Sequence, residues 1–522
     1  MVNFIPILGA VACLVFSVDA RPKVHRTKVA ILGAGGAGIS AAKRFNSANM
    51  KDFIIVDAQS FVGGRVQHTG FGDYQVEIGA NWIYGQGSNP IYNLATKHGL
   101  KTAPNEKDDV EFYDDDGQIK DGYGRQVYDT FAEYMVDLVN YASQRVESNQ
   151  VDVSARTGLS MVRWKPDTSL KAAVEYFSVD WELAEPAELA SLDYSAGTAE
   201  MIAGTYPGED GFVVDERGFN HILKEETRLF LKPNDPRLML NTLVTDITYG
   251  AEDVVITTAD GDTIIADYCI CTFSLGVLQS DSVNFVPAFP DWKREALLSF
   301  HMATYTKIFL KFDTKFWGDW QFALYAGDFS QRPGYYTVWQ NLNAPGYFAT
   351  DPQRKKNKSA AKDNILMVTT TFKESERIEK LDPEQVEQEI VEVLKRMFPS
   401  ANITKPTEIL IPRWHTNPLF RGSYSNWPLG VSTQHHDNMR APLRGFNGSN
   451  ASPPRLWFSG EAMSADFYGY LHGAWFEGRD TAGSILRCMR SKCPVYPATE
   501  IVKGCSDKSA KDTSFQAKWR KA

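Results

Sequence analysis

Several things are scarce in this sequence, and each scarcity excludes something. Cysteine and histidine are few, six and nine in 522 residues, and none stand at zinc-ligand spacing, so no metal centre is expected. There is no basic excess. The 55 Lys+Arg against 64 Asp+Glu give a net charge of −9, which argues against nucleic acid and mildly favours cationic ligands. The one lysine-rich stretch, Gln353 to Lys362, is short and carries no aromatics, so it reads as a loop. Internal repeats and low-complexity tracts are missing, and no apolar run beyond residue 20 suggests a membrane span.

The first 20 residues do carry an apolar stretch, Phe4 to Val18, which ends in the small-residue site Val18-Asp19-Ala20. It falls short of the roughly 20 apolar residues that a span requires and reads as a secretory signal. A basic flank is lacking, which leaves an uncleaved anchor as the alternative. Cys488 and Cys493 flank a short polar loop and could pair in an oxidising compartment, whereas Cys269 and Cys271 share one face of an apolar strand and read as buried thiols. Cys505 is left over. Sequons at Asn357, Asn402, Asn447 and Asn450 suit a secreted glycoprotein.

What is present begins with Val29 to Arg65. An apolar run enters Gly33, Gly35 and Gly38, a helical pattern follows, and Phe53 to Val56 forms a second strand ending at Asp57. Strand, helix and strand in this order form a Rossmann-like dinucleotide site: the glycines let the backbone approach a pyrophosphate, and the helix N-terminus supplies free N–H groups. Asp57 is placed to accept from an adenosine ribose hydroxyl. The pattern admits FAD or NAD, and the second glycine turn Gly63-Gly64-Arg65, with a guanidinium suited to phosphate, tilts it towards FAD.

Such a length implies more than one domain. Gln75 to Gly85 reads as strand passing into loop, Asp108 to Gly122 as a surface hairpin, and Gln126 to Ser148 and Ser169 to Phe177 as helices. Leu238 to Tyr249 and Val254 to Thr258 read as paired strands, Phe300 to Phe312 alternates, Glu374 to Phe398 is an amphipathic helical region, and a last strand-to-helix unit has its helix from about His472. Its glycines Gly469, Gly473 and Gly478 permit close backbone approach.

The motifs GAGGAGISAAKR, VDAQSFVGGR, EIGANW, FVVDERGF, LVTDI, YTKIFLKF, RGSYSNWPLG and FSGEAMSADFYGYLHGAWFEG, in this order along nearly the whole chain, resemble the flavin-containing amine oxidases of the polyamine oxidase group, most of all its secreted plant-type members. The resemblance implies an α/β fold with an α+β second domain: a Rossmann-like FAD domain from discontinuous segments (27–107, 211–290 and 426–490) and a substrate domain of a sheet flanked by helices (108–210 and 291–425), after a signal (1–20) and before a tail (491–522). It implies oxidation of spermine or spermidine, with O2 returning as hydrogen peroxide, in a protein that is expected to be a monomer.

By the same resemblance the cofactor contacts are Gly33, Gly35, Gly38, Asp57, Ala58, Gly64, Arg65, Gly79, Ala80, Asn81, Trp82, Val244 for adenine, Trp427 beside the ring, Gly460, Glu461, Tyr470, and the Leu471 N–H facing the flavin pyrimidine. Ser423 stands where related monoamine oxidases carry the flavin-linking cysteine, so FAD is expected to be noncovalent. Lys307 matches the lysine that holds a water at the flavin, Tyr305 and Tyr470 the aromatics that sandwich the amine, and Glu182 a tunnel carboxylate for the cation. On a strand Tyr305, Lys307 and Phe309 share a face, where desolvation would lower the lysine pKa; the plain alternative is an edge lysine that snorkels to solvent. Tyr84 departs from the plant pattern. A second tunnel glutamate is replaced by a neutral phenol, which weakens the preference for long polyamines and leaves another amine, or an L-amino acid, as the alternative substrate.

Overall fold

The computed structural model describes residues 22–197, 205–329, 332–348, 364–445 and 453–494. The expected signal, the loop at Gln353 to Lys362, Cys13, Cys505, the sequons at Asn357, Asn447 and Asn450, and most of the tail lie outside them.

The motif at the start folds as its pattern requires. Strand β1 (Val24–Leu32) runs into the turn at Gly33, helix α1 (Gly36–Ser47) follows, and strand β2 (Phe53–Val56) returns parallel to β1. Strand Thr263–Cys271 lies parallel on the other side of β1, paired along its whole length. These strands sit inside an eight-stranded sheet that also contains Leu238–Met239, Val244–Tyr249, Val254–Thr258, Asn284–Val286 and Leu456–Phe458. Both faces of β1 are packed, Val29 and Ile31 into one apolar cluster and Ala30 and Leu32 into another, which explains why the strand reads as a continuous apolar run.

The C-terminal helix Leu471–Cys488 packs along α1 and needs its glycines to do so. A Cβ at Gly478 would lie 2.0 Å from the Ala37 carbonyl oxygen, and one at Gly38 would lie 1.9 Å from that of Gly33. The first and last motifs of the chain are thereby pressed together.

A seven-stranded sheet forms a second layer system, in the order Glu408–Leu410, Tyr305–Phe312, Asn364–Thr371, Val338–Asn341, Phe322–Tyr325, Val110–Asp114, Gly117–Gln118. Helices Tyr123–Glu147 and Ser169–Ser178 cover one face, and Pro383–Met397 packs on the other.

Three expectations need correction. The Asp108 to Gly122 hairpin is not merely superficial: Val110, Phe112 and Tyr113 are buried because the strand extends the sheet beside Phe322–Tyr325. Leu238–Met239 does not continue into Val244–Tyr249 but pairs with β2 at the sheet edge. The helical region from Glu374 to Phe398 divides into Phe372–Ile378 and Pro383–Met397, where Asp382 caps the second helix and Pro383 occupies its first turn. Cys488 and Cys493 are disulfide-bonded, and Cys269 and Cys271 are buried and free. Among the described residues no helix is long and apolar enough to cross a membrane, and no group of His, Cys, Asp and Glu could hold a metal ion.

Candidate active site

One continuous cavity runs from the glycine turns at the β1–α1 junction to an aromatic chamber beside the seven-stranded sheet. Its two ends are built differently.

At the glycine end the backbone does most of the shaping. Gly33 has φ +115° and a Cβ there would meet Thr272 Oγ1 at 2.2 Å, so only glycine fits. The second glycine turn docks on the first, with the Gly63 N–H donating to the Ala34 carbonyl at 2.9 Å. Helix α1 has Gly35 at its N-cap and therefore no side-chain cap, so its first N–H groups remain for an anion. The Asp57 carboxylate is held by the Ala34 N–H at 2.7 Å and the Gln59 N–H at 2.8 Å. Burial pushes its pKa up against those two donors. Ala58, Gly64, Val244 and Gly460 also line this end.

At the middle, Arg65 donates to Glu461 at 2.9 Å and to the Ser423 carbonyl at 2.9 Å. Glu461 also accepts from Ser425 Oγ at 2.6 Å and the Gly469 N–H at 2.8 Å. The arginine expected to pair with a phosphate is thus paired with a protein carboxylate, and the two form a fixed strut across the cavity. The helix Leu471–Cys488 opens on the cavity through Leu471, again with no side-chain cap.

At the chamber end, Lys307 is 4% exposed. Its ammonium nitrogen donates to the Gly79 and Glu77 carbonyls and lies 5.2 Å from the Trp82 ring centre. Both faces of its strand are buried, not one, and the lysine points into the cavity rather than to solvent. Burial pushes its pKa down to about 7, opposed by the Glu77 carboxylate, while burial pushes Glu77 up to about 8. Desolvation favours the neutral form of each. Tyr305, Tyr470, Trp82 and Glu182 line the chamber, and the Tyr470 hydroxyl donates to Glu182 Oε1 at 3.2 Å. Tyr84 stands edge-to-face on Tyr470, ring centres 4.7 Å apart. Burial pushes its phenol pKa well up, helped by the nearby Glu182, so it stays neutral. Gly79, Ala80 and Asn81 line the passage between strut and chamber.

Two expected contacts lie elsewhere. Trp427 does not line the cavity; it is packed behind it, sandwiched between His436 and Tyr468 with ring centres 5.3 and 5.9 Å away. Gly38 is turned towards the Gly33 carbonyl, where it allows α1 to approach β1. Conversely, Trp181, Tyr424, Trp414 and Phe420 line the cavity and were not singled out. Tyr424 stands inside the motif RGSYSNWPLG and Trp181 directly precedes Glu182, so both positions carry a signal in the sequence. Trp414 had no such signal: a buried carboxylate, Glu379, accepts from its backbone N–H at 3.1 Å and from that of Thr416 at 3.0 Å, which holds the loop in place.

Parallel strands around a glycine turn, an acid at the second strand end and two uncapped helix N-termini facing one cavity define a dinucleotide-binding protein, and the adjoining aromatic chamber with its buried lysine gives it a reaction site. Residues 37–486 match the family model described as flavin containing amine oxidoreductase. Polyamine oxidase 1 of Zea mays is 35% identical over 495 residues, covering 90% of this chain and 92% of that one. Polyamine oxidase 6 of Oryza sativa is 36% identical over 493 residues, covering 90% and 93%. A solved putrescine oxidase, wild type bound to putrescine, superposes with a TM-score of 0.67 at 16% identity, covering 89% of this chain and 99% of that one. The chain belongs to the flavin-containing amine oxidoreductases, and its cofactor is FAD.

The residues present fit that group. The glycine cradle, Asp57 and the two helix N-termini suit a pyrophosphate flanked by a nucleoside and a flavin. Ser423 exchanges hydrogen bonds with the Tyr305 backbone at the cavity wall, an arrangement consistent with noncovalent FAD.

Proposed function

We propose that this protein oxidises polyamines, with spermidine and spermine as first candidates. The observation that carries the reading is the single cavity joining the glycine turns to a chamber with a carboxylate, stacked aromatics and a buried lysine; the polyamine oxidases named above are the source of the substrate class. Bound FAD supplies a two-electron acceptor for the hydride leaving the carbon beside the amine nitrogen, and O2 takes the electrons on as hydrogen peroxide. Water then splits the oxidised amine into an aldehyde and a smaller amine.

In this reading Asp57 holds the adenosine ribose, Val244 the adenine, the α1 N-terminus and Gly33, Gly35 and Gly64 the pyrophosphate, and Glu461 and Arg65 brace the ribityl region. Ala58, Gly79, Ala80, Asn81, Trp82 and Gly460 shape the walls, and the Leu471 N–H meets the pyrimidine edge. Tyr305 and Tyr470 flank the aliphatic chain, Glu182 draws in an ammonium, and Lys307 in its neutral form holds a water at the flavin. The division into an FAD domain and a substrate domain at the segment boundaries given above belongs to the same proposal, as does a monomeric state. Export is proposed too, from the leader pattern, the Cys488–Cys493 bond and the exposed sequon at Asn402.

The lining cations disfavour an amino acid substrate. Among the described residues they are Arg65, tied to Glu461, and Lys307, pushed towards neutrality, so neither is poised for a carboxylate. Product analysis with spermidine and N-acetylated spermine, beside a panel of L-amino acids, tests the reading: peroxide and an aminoaldehyde are expected from the amines. Peroxide from amino acids alone would overturn it.

A further inference from the structure

The carboxylate assigned to the cation is already engaged. Lys107 Nζ lies 3.1 Å from Glu182 Oε2, and the Tyr470 hydroxyl takes Oε1 at 3.2 Å, so both oxygens have a partner. Lys107 approaches from the solvent side: its side chain is 38% exposed against 14% for Glu182, and it is not a lining residue of the cavity. Its ammonium also lies 5.6 Å from the ring centre of Trp181, a cavity wall residue. The remaining carboxylate near Tyr84, Asp210, accepts from the Gly85 N–H at 2.8 Å and is influenced by both Lys107 and Glu182. The sequence has no second lining glutamate at position 84 to compensate.

We propose that Lys107 is a specificity-determining residue: an internal ammonium seated on Glu182 that a substrate's distal ammonium must displace. The inference rests on the amine oxidation proposed above. With Lys107 38% exposed the pair is only partly desolvated, so a second ammonium can compete for Glu182, but each additional positive charge brought there also meets the lysine's own. Lys107 therefore weakens the site's preference for amines that carry a second cationic nitrogen without abolishing it, and it does so through binding, because it does not line the cavity.

The test uses the FAD-loaded protein and two ligands of equal chain length, octylamine with one charge and diaminooctane with two. Their dissociation constants are read from perturbation of the flavin spectrum without oxygen, and from inhibition of spermidine turnover. Lys107→Met should tighten diaminooctane about three- to tenfold relative to octylamine and lower the spermidine KM with kcat unchanged. Lys107→Arg, which keeps the cation, should retain wild-type ratios. Equal shifts for both ligands, or weaker diaminooctane binding in Lys107→Met, would overturn the role of Lys107 while leaving amine oxidation standing. Failure of every amine to perturb or reduce the flavin in the wild type would overturn both.

Discussion

The two ends of the cavity are made of different materials. At the glycine end, Gly33, Gly35, Gly63, Gly64 and Asp57 lie within one stretch of sequence, and the walls are mainly backbone held by local hydrogen bonds. At the chamber end, Trp82, Tyr84, Glu182, Lys307, Tyr424 and Tyr470 come from across the chain and the walls are side chains. A backbone-built site tolerates little change and recognises what all family members share. A side-chain-built site can be retuned one residue at a time, and Tyr84 and the proposed Lys107 are residues through which its charge preference can be set.

The contrast can be broken hardest at Lys307. Replacing it with methionine keeps the length and removes the amine, so FAD should remain bound while turnover falls by about 10²–10⁴-fold, the usual range for a positioned proton-handling group. Stopped-flow reduction by spermidine checks this, and wild-type rates would refute the assigned role. Asp57→Ala should act on the other end alone: loss of a carboxylate held by two N–H groups weakens FAD by about ten- to a hundredfold with little change in amine KM for the loaded enzyme. Equilibrium dialysis of FAD measures it.

A pH profile separates the ends more finely. Lys307 has its pKa lowered to about 7 by burial, so it is protonated below that value and neutral above it. The reduction rate should therefore rise with pH through about 7, in addition to the rise due to the substrate amine itself, and the step near 7 should vanish in Lys307→Met. Stability has the same sign for this group: the unfolded lysine keeps its proton up to about 10.4, so the native state gains stability as pH rises from 7 towards that value. The smallest effect is expected for Tyr470→Phe, which removes only the hydroxyl bond to Glu182. The spermidine KM should change about three- to tenfold, with FAD affinity unaffected.

The same contrast explains what the sequence disclosed. The β1–α1–β2 unit was legible because its glycines, its apolar run and Asp57 are each demanded by local geometry. Lys307 was legible only through strand alternation plus the family motif, and alternation alone left an edge lysine open; its burial depends on Asn364–Thr371 and on the Gly79 turn, both far away in the chain. Trp427 was misplaced because a motif fixes which residues are near a site but not which way each side chain turns: Asn426 faces the cavity and Trp427 packs on His436. Lys107 could not be read at all, since its meeting with Glu182 spans two segments with no shared pattern.

One cavity, in this reading, binds FAD and delivers an amine to it. The most direct measurement is anaerobic titration of the purified protein with spermidine while the visible flavin band is followed, then admission of air. A yellow protein is expected, one that releases FAD on denaturation, is bleached by about one equivalent of amine per site and recovers with peroxide formation. A colourless protein, or a yellow one that spermidine and spermine leave unbleached, would contradict it.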